Sequence, residues 1–465
     1  MSPFFVCGIL CRPSALNSPM MPGSHRLLAF VLFLPLFATA QLTCQPMVGH
    51  TGLTNARIWV QGDGVAKVHI EYWADSLERS PQNTSASEHL LLSPSQGHSA
   101  IFDLGNMEPG TQYRFRVFFG TEMATQGADT AAMTFKTQPL WQYRFDPPPF
   151  KLALGSCSFI NETAYDRPGR PYGGGYEIFD GIANENPDLM LWLGDNVYFR
   201  EVDWASQSGI LHRYNHMRSL PELQTLLGAC PHYAIWDDHD FGPDNSDGSW
   251  IHKDWSEAAF SHYWPNPTQG LPDANGHGIT TAFQFHDVDF FLLDNRYFRI
   301  NHENQTHEPQ VLGQVQLDWL IQALQASRAP FKVVAMGGQM LSSYAKYENM
   351  AQFPKERDAI LQRIEKEDIR GVVFLSGDRH STELSEVELN NGRKVIDFTC
   401  SALTSGTHDN TSESNIHRVE GTMVGIRNYG TIEVTGPRKS REMTLRAHDS
   451  SGRILWEHKY AASDL

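Results

Sequence analysis

The chain has 465 residues, which predicts two domains, because a single hydrophobic core stops growing at about 300 residues. Hydrophobic residues make up 41% of the chain and aromatic residues 11%, enough for packed cores, which argues against an intrinsically disordered protein. The formal net charge of −16 argues against a nucleic-acid-binding protein, since phosphate backbones are held by clustered Lys and Arg.

The N-terminal segment has the pattern of a secretory signal peptide. His25 and Arg26 precede an apolar run at residues 27–37, and Ala38-Thr39-Ala40 supplies the small residues that signal peptidase requires. The apolar run is shorter than the ~18 residues that a membrane span needs, so we expect no transmembrane anchor. We therefore predict a signal peptide at residues 1–40 and a secreted or periplasmic mature protein.

Two methionines, Met20 and Met21, precede the basic residues of this signal. We interpret residues 1–19 as a mis-assigned start, with translation beginning at these methionines. Export would place the mature protein where disulfides persist, but four cysteines allow three pairings and the sequence does not select one. The four cysteines are Cys44, Cys157, Cys230 and Cys400.

Residues 42–140 have the pattern of an all-β sandwich of the immunoglobulin or fibronectin type. Short stretches alternate apolar and polar residues with a period of two and are separated by Gly, Pro, Asn and Asp. The predicted strands are residues 56–60, 66–72, 113–119 and 133–137. The segment 140–150, which contains Pro147-Pro148-Pro149, is interpreted as a stiff linker and a domain boundary.

From residue 150 to residue 465, strands alternate with helices, which predicts an α/β domain with helices flanking a layered β-sheet core. The predicted strands are residues 150–154, 188–193, 232–236, 331–336 and 371–375, with a hairpin at 281–296. The predicted helices are residues 176–184, 314–327 and 355–366. The C-terminal segment 394–460 is predicted to be mostly strand.

Polar clusters follow the predicted buried strands directly. Because the carboxyl ends of strands in α/β sheets meet in one crevice, we expect these clusters to converge. Several carboxylates crowded together cannot all stay ionised in a dry site unless cations neutralise them, so the pattern predicts metals. The clusters are Gly155-Ser156-Cys157, Gly194-Asp195-Asn196-Val197-Tyr198, Asp237-Asp238-His239-Asp240 and Ser376-Gly377-Asp378-Arg379-His380.

These motifs, with Leu293-Asp294-Asn295-Arg296 between the last two, resemble in order and separation the motif set of the alkaline phosphatase D family of metallophosphoesterases. The resemblance covers residue 151 to the C-terminus and implies a metallophosphoesterase-type fold behind the sandwich domain. It further implies that Cys157, Asp195 and Tyr198 bind Fe³⁺, and that Asp195 bridges to Ca²⁺.

Other roles follow from the wider metallophosphoesterase pattern. Asp238 takes the place of an Asn metal ligand, and His239 that of the histidine that protonates the leaving group. Asp378 and His380 take the places of two metal-binding histidines. Gly337-Gly338-Gln339 stands where related enzymes carry a metal-binding His, a departure that fits an oxygen-rich calcium site.

Several residues keep two interpretations. Asp237 either binds metal or orients its neighbour. Arg296 is our candidate for holding phosphate, as is Arg379, yet each can instead pair with a nearby carboxylate, Asp294 or Asp378. Cys157 and Tyr198, taken alone, are also compatible with ordinary core residues.

The sequence therefore predicts hydrolysis of phosphate monoesters or diesters by a metal-bound hydroxide, with a small-molecule or polymeric phosphoester as substrate. A phospholipid or teichoic-acid-type phosphodiesterase is an alternative. A second alternative is a surface adhesion protein in which the metals are only structural. The specific phosphoester and the oligomeric state do not follow from the sequence.

Overall fold

The computed structural model describes residues 41–120, 122–123 and 133–465. The predicted signal peptide, residues 1–40, lies outside the described residues. Residues 40–465 form one compact unit, so the predicted domain boundary at residues 140–150 stays a prediction. In the described part of the chain, no helix combines the length and the apolar character that crossing a bilayer requires.

The N-terminal part consists of short strands in two sheets. A three-stranded antiparallel sheet has the order β1-β2-β6, and the second sheet is built around the antiparallel pair β3 and β7. The strands are β1 (Met47–Thr51), β2 (Ala56–Gln61), β3 (Ala66–Ala74), β4 (Ser85–Ala86), β5 (Leu90–Leu92), β6 (Ser99–Leu104), β7 (Gln112–Phe119), β8 (Glu122–Met123) and β9 (Thr134–Lys136).

The two sheets share a hydrophobic core. Alternate residues of β3 and β7 point inward, as a period of two requires, and Ile58 and Phe102 of the first sheet belong to the same buried cluster as Val68, Ile70 and Val117 of the second. The sandwich expected from the sequence is therefore present among these strands. The sequence did not indicate β1, β4, β5, β6 and β8, most of which are short or lack clear alternation.

The three-stranded sheet is buried on its other face as well. Trp59 of β2 is fully buried, with its ring centroid 5.6 Å from that of Tyr263. The Arg218 guanidinium lies 5.3 Å from the ring centroid of Trp59 and 4.1 Å from that of Trp264. The sandwich is thus packed directly against the α/β part, with cation–π contacts across the contact surface.

The α/β part begins at β10, and its elements follow the expected alternation. The helices are α1 (Ile178–Asn184), α2 (Gln207–Arg218), α3 (Gln224–Ala229), α4 (Asp238–Phe241), α5 (Lys253–Tyr263), α6 (Gln314–Ala326) and α7 (Pro354–Lys366). The strands are β10 (Phe150–Gly155), β11 (Leu189–Leu193), β12 (His232–Ile235), β13 (Thr281–Phe285), β14 (Val288–Leu292), β15 (Phe331–Ala335), β16 (Val372–Ser376), β17 (Glu383–Glu388), β18 (Lys394–Thr399), β19 (Asn428–Thr435), β20 (Glu442–Asp449) and β21 (Ile454–Ala461).

Two mixed six-stranded sheets form the centre of this part, with the orders β12-β11-β10-β19-β20-β21 and β13-β14-β15-β16-β18-β17. In the first sheet β10, β11 and β12 are parallel, and in the second β14, β15, β16 and β18 are parallel. Parallel strands are buried on both faces and therefore carry continuous apolar runs, as in the Leu-Met-Leu-Trp-Leu sequence of β11.

The two sheets face each other across the main core, where Leu152 and Leu191 of the first sheet join Val333 and Phe398 of the second. The outer face of the second sheet packs on α6 and α7 through a separate apolar cluster. This is the layered β-sheet core with flanking helices that the sequence predicted.

The prediction of mostly strand for residues 394–460 is wrong for its middle part. Residues 400–427 contain no strand beyond isolated bridges. Their backbone instead crosses the carboxyl ends of β10 and β16, where Leu403 N–H donates to Ser156 and His408 N–H donates to His380. The backbone of this segment is hydrogen-bonded to loops and forms no continuous ladder with a neighbouring strand. Its sequence therefore does not need the alternation of polar and apolar residues that is typical of a strand.

Candidate metal and phosphoester site

Six loops converge at the carboxyl ends of the parallel strands. The loops after β10, β11 and β12 come from the first sheet, and those after β14, β16 and β18 come from the second. The convergence expected from the sequence is therefore present. The predicted site residues on these loops are Cys157, Asp195, Tyr198, Asp238, His239, Arg296, Asp378 and His380.

Four of these residues have a left-handed backbone conformation, with φ of 60° at Cys157, 51° at Asp195, 65° at Asp378 and 53° at His380. Residues other than Gly rarely adopt this region, because Cβ crowds the following carbonyl. Such strained positions concentrate at functional sites, where the surrounding structure enforces them. Here each one follows a buried strand directly and turns its side chain into the shared crevice.

Cys157, Asp195, Tyr198 and His380 form a first group. The Asp195 Oδ2 atom lies 3.5 Å from the Cys157 Sγ atom and accepts a hydrogen bond of 3.0 Å from the Tyr198 hydroxyl. The Tyr198 hydroxyl lies 3.3 Å from His380 Nε2, and ligand atoms of Cys157, Asp195 and His380 lie within 4.8 Å of one another. A thiol, a carboxyl group, a phenol and an imidazole thus face one point.

Further side chains fix the orientation of this group. Ser401 Oγ donates to Cys157 Sγ at 3.0 Å, and the same hydroxyl accepts the His380 backbone N–H at 2.9 Å. His380 Nδ1 lies 2.8 Å from the Gly406 carbonyl oxygen, leaving Nε2 toward Tyr198. Hydrogen bonds of this kind behind the ligands hold metal sites in shape.

A second group is rich in carboxylates. Ligand atoms of Asp195, Asp238 and His239 lie within 4.8 Å of one another, and so do those of Asp237, Asp238 and Asp378. Asp195 therefore belongs to both groups. The buried oxygens Asp237 Oδ2 and Asp238 Oδ1 have no hydrogen-bond partner among the described residues.

This clustering of carboxylates raises their pKa values. Burial, together with the charges of Asp238 and Cys157, raises the pKa of Asp195 well above its ordinary value. Burial and the charges of Asp237 and Asp238 raise the pKa of Asp378 to about 7. Burial also raises the pKa of the Cys157 thiol to about 12. These groups bind a cation only when they are ionised. Without a cation, the protein environment opposes their ionisation.

Asp238 is the exception among these acids. Burial opposes its ionisation, but the neighbouring His239 and Arg296 hold its pKa below the ordinary value, and the backbone N–H of Asn245 donates to it at 2.7 Å. One carboxylate of the second group is thus ionised even without a metal.

Metals of the expected kind fit these residues. Two buried carboxylate oxygens without partners are a cost to the fold that a bound cation removes. The first group mixes sulfur, nitrogen and oxygen donors, which suits a transition metal. The second group is almost entirely oxygen, which suits a hard cation such as Ca²⁺.

Asp240 ties the loops after β11 and β12 together. Its carboxylate accepts backbone N–H groups from Asn196, Val197 and Asp237 at 3.0 to 3.3 Å, and burial raises its pKa to about 8. It therefore sets the separation between Asp195 and Asp238 without itself joining either group. The sequence analysis gave this residue no role.

Comparison with known proteins gives this site a family. Residues 152–436 match the model of the PhoD-like phosphatase family, and these residues contain every loop of the site. The chain belongs to the PhoD-like phosphatase family. The resemblance inferred from the sequence motifs is therefore confirmed. Residues 39–137 match the model of a domain of unknown function, DUF7800.

A curated relative is alkaline phosphatase D of Bacillus subtilis strain 168, which is 23% identical over 369 residues. The match covers 68% of this chain and 60% of the relative, so the chain spans less than two thirds of that protein. The solved structure of PhoD superposes with a TM-score of 0.73 at 18% identity, covering 92% of both chains.

Purple acid phosphatase PPD1 from yellow lupin (Lupinus luteus) seeds has a TM-score of 0.62 at 10% identity, covering 90% of this chain and 74% of that one. At such low identity the two solved structures bear on the fold alone. They confirm the metallophosphoesterase-type layered core behind a strand-rich N-terminal part.

Within this family framework, Arg296 does not reach the cavity. Its guanidinium is buried and pairs with Asp237 and, at 2.8 Å, with Glu348. From Arg296, the expected partner Asp294 receives a hydrogen bond from the backbone N–H, at 2.8 Å, and none from the guanidinium. These ion pairs favour the second interpretation of Arg296, as a residue that pairs with carboxylates, with Asp237 and Glu348 in place of Asp294.

Asp237 is held from several sides. Asn295 Nδ2 donates to its Oδ1 at 2.7 Å, on the same oxygen that Arg296 contacts, and a carboxylate oxygen of Asp237 lies within 4.8 Å of oxygens of Asp238 and Asp378. Asp237 can therefore still either bind metal or orient its neighbour. Its Oδ1 is held by two donors, and its Oδ2 has no hydrogen-bond partner among the described residues.

The departure at Gly337-Gly338-Gln339 has a steric reason. A Cβ atom added at Gly337 would overlap Asp237 Cγ and Asn295 Nδ2, so no side chain fits there. Gln339 points away from the site and donates to Glu383 at 2.8 Å. Asp237 and Asn295 occupy the space that a side chain at residue 337 would take.

The site opens into a cavity of about 400 Å³. Arg379 is on its wall, and it pairs at 2.6 Å with Glu413 and stacks 4.6 Å from the centroid of the Tyr347 ring. The expected pairing of Arg379 with Asp378 is replaced by this one with Glu413. Wall residues that the sequence did not indicate are Tyr172, Asp244, Asn245, Tyr347, Glu348, His408 and Asn410.

His239 stands at the cavity with a side chain that is 23% exposed. Its ring packs on Tyr198 with centroids 4.2 Å apart, and its Nε2 lies 3.6 Å from Asp244 Oδ1. The imidazole therefore contacts both the first group and the open cavity.

The four cysteines of the described residues are all free and buried. None of the three possible disulfide pairings is formed among them. Cys157 is the one that faces the site, and Cys400 donates weakly to the Leu154 carbonyl oxygen at 3.5 Å.

Proposed function

We propose that this chain is an exported, metal-dependent hydrolase of phosphate monoesters or diesters. The observation that carries the proposal is the convergence of two adjoining ligand groups that share Asp195 beside an open cavity. Adjacent metal sites at a cavity are the arrangement that phosphoester hydrolysis uses.

For the metals, we assign Fe³⁺ to the group of Cys157, Asp195, Tyr198 and His380. We assign Ca²⁺ to the group of Asp195, Asp238 and Asp378, with Asp195 shared between the two. His380 joins the iron group in this proposal because its Nε2 lies 3.3 Å from the Tyr198 hydroxyl and its ligand atom lies within 4.8 Å of those of Cys157 and Asp195. The support is the donor chemistry of each group.

Metals bound there would polarise the phosphoryl group and activate water as the nucleophile. The chain's own residues have separate tasks. His239, the partly exposed imidazole on the cavity wall, donates a proton to the departing alkoxide oxygen. The Asp244 Oδ1 atom lies 3.6 Å from its Nε2.

Arg379 is the guanidinium on the cavity wall that can meet a phosphate oxygen. Its pairing with Glu413 and its stacking on Tyr347 hold the guanidinium in place and reduce the entropy lost on binding. Arg296 does not contact the substrate in this proposal. It fixes the position of Asp237 and thereby of the second group, to which Asp237 belongs.

The decisive experiment joins metal analysis to a phosphoester panel. We expect purified protein to contain iron and calcium, to absorb visible light through thiolate and phenolate charge transfer, and to hydrolyse p-nitrophenyl phosphate or its bis ester. Colourless protein that lacks iron and is inactive on both substrates would reject the proposal.

Asp195→Asn separates a catalytic from a purely structural metal site. A catalytic role predicts a folded variant with turnover reduced at least ~100-fold, since the shared ligand is neutralised. A purely structural role predicts loss of folding instead. Asp273→Asn, at an exposed position away from the site, is the matched control and should behave as wild type.

A further inference from the structure

A group of exposed aromatic and basic side chains lies far from the cavity, where the segment before β10 meets the turn between β19 and β20. Tyr143 is 96% exposed and Phe145 is 51% exposed, although such rings are normally covered. We call this group the aromatic–basic patch. Its members are Trp141, Tyr143, Arg144, Phe145, Arg438 and Lys439.

The cations of the patch are not neutralised by ion pairs. Arg144, Arg438 and Lys439 are exposed, and within the described part of the chain none of them forms a salt bridge. The nearby acid is Asp146, which accepts the backbone N–H of Arg438 at 3.2 Å. The patch is therefore locally positive on a chain whose net charge is −16.

The patch is held in shape by buried contacts. Arg441 is buried and donates from one guanidinium to the carbonyls of Pro148, at 3.1 Å, and Gly436, at 2.6 Å, which joins the two segments. Trp141 Nε1 donates to the His286 carbonyl at 3.2 Å, and Arg438 lies 5.2 Å from the Trp141 ring centroid. The two backbone segments, Trp141 and Arg438 are therefore already held in place before binding, which favours affinity.

We propose that the aromatic–basic patch binds the surface of an anionic phospholipid bilayer. Aromatic rings with a polar edge, flanked by Lys and Arg, are the side chains that lie at the boundary between headgroups and acyl chains. Charge complementarity selects an anionic surface, because the patch carries three cations that are unpaired within the described residues, while the net charge of the chain is −16.

The topology gives the docked protein an orientation. Strand β10 starts at Phe150, beside the patch, and ends at Gly155, two residues before Cys157. The patch and the cavity therefore lie at opposite ends of the first sheet. A docked molecule presents its cavity away from the bilayer, toward soluble or polymeric substrates. This binding is independent of the proposed hydrolase activity.

Sedimentation with lipid vesicles tests the proposal, using full-length mature protein. We expect pelleting with vesicles of mixed phosphatidylglycerol and phosphatidylcholine at low salt, weaker pelleting at high salt, and none with phosphatidylcholine alone. Arg438→Gln combined with Lys439→Gln should weaken binding roughly 20-fold, because each cation near an anionic surface contributes about fivefold. Tyr143→Ser combined with Phe145→Ser should weaken it by about tenfold.

Matched controls change the same residue types elsewhere. Tyr165→Ser removes an exposed ring and Arg328→Gln an exposed cation, and both should bind as wild type does. Equal pelleting with both vesicle types, loss of binding in the controls, or no pelleting at all would overturn the proposal. A further contradicting outcome is retention of the protein on dextran sulfate, dependent on the same residues, without binding to vesicles. The ligand of the patch would then be a soluble polyanion and not a bilayer.

Discussion

The Nδ1 atom of His380 lies 2.8 Å from the carbonyl oxygen of Gly406, and its Nε2 atom lies 3.3 Å from the Tyr198 hydroxyl. A carbonyl can only accept, so Nδ1 carries the proton and Nε2 offers its lone pair. Burial lowers the pKa of His380, which also favours the neutral ring. A loop with no regular structure thus decides which nitrogen of this histidine can bind a metal.

His380→Gln is expected to reduce iron affinity at least ~10-fold and to weaken the visible absorption, because the imidazole donor is lost while Tyr198 and Cys157 remain. Iron content after equilibrium dialysis measures the effect. His307→Gln, at an exposed position, is the control. Unchanged iron content in the first variant would remove His380 from the ligand set.

Arg296→Met should lower the free energy of unfolding by about 3–5 kcal/mol, because it leaves the buried carboxylate of Asp237 without its cation and leaves Glu348 with Arg299 alone. Urea denaturation measures this. Arg363→Met removes a partly exposed pair with Glu367 and should cost at most about 1 kcal/mol. A raised KM with unchanged stability in Arg296→Met would instead restore the phosphate-holding role.

Gly337→Ala is expected to abolish most activity through one added methyl group, since that group would displace Asp237 and Asn295. Overpacking of this kind costs roughly 1–3 kcal/mol, so the variant should still fold. Gly64→Ala is the control, because an added Cβ there meets nothing within 4 Å. Full activity of Gly337→Ala on p-nitrophenyl phosphate would show that the position of Asp237 is unimportant.

Asp397 gives a pH dependence away from the metal groups. Burial raises its pKa to about 6, while its oxygens accept from Ser376 Oγ and from the Met340 and Leu341 backbone. The stability it contributes is fully present below about pH 4 and is lost as pH rises through about 6.

Asp397→Asn cannot ionise, so its stability should not show this loss. Relative to the variant, the wild type should lose about 3 kcal/mol of unfolding free energy between pH 4 and pH 8, since two pKa units correspond to roughly that amount. Urea titrations of chelator-treated protein at both pH values give the difference. A difference that is the same at both pH values would contradict a buried, protonated Asp397.

The sequence predicts the core of the site because its signals are local. Cys157, Asp195 and Asp238 each lie within three residues after a buried strand. The carboxyl ends of parallel strands lie at the same edge of a sheet, independently of the structure of the connecting segments. The apolar runs of β10, β11 and β16 reveal those strands directly. Fold class and candidate ligands therefore follow from short stretches of sequence.

The remaining contacts depend on residues far apart in the chain. Arg296 was expected either to hold phosphate or to pair with Asp294, two residues away, but the guanidinium reaches Asp237 and Glu348, each more than 50 positions away. Segment 400–427, which supplies Gly406 and His408, has neither periodicity nor a motif. Side-chain direction and irregular backbone are set by tertiary packing, which a pattern along the chain does not encode.

The burial of Trp59 on the second face of the three-stranded sheet has a consequence for folding. One face of the three-stranded sheet packs in the core of the sandwich. Its other face packs on Trp264 and Tyr263 of the α/β part. Neither part can open without exposing aromatic surface of the other. The sandwich is thus not a detachable module, and the chain from residue 41 onward should melt in a single cooperative transition.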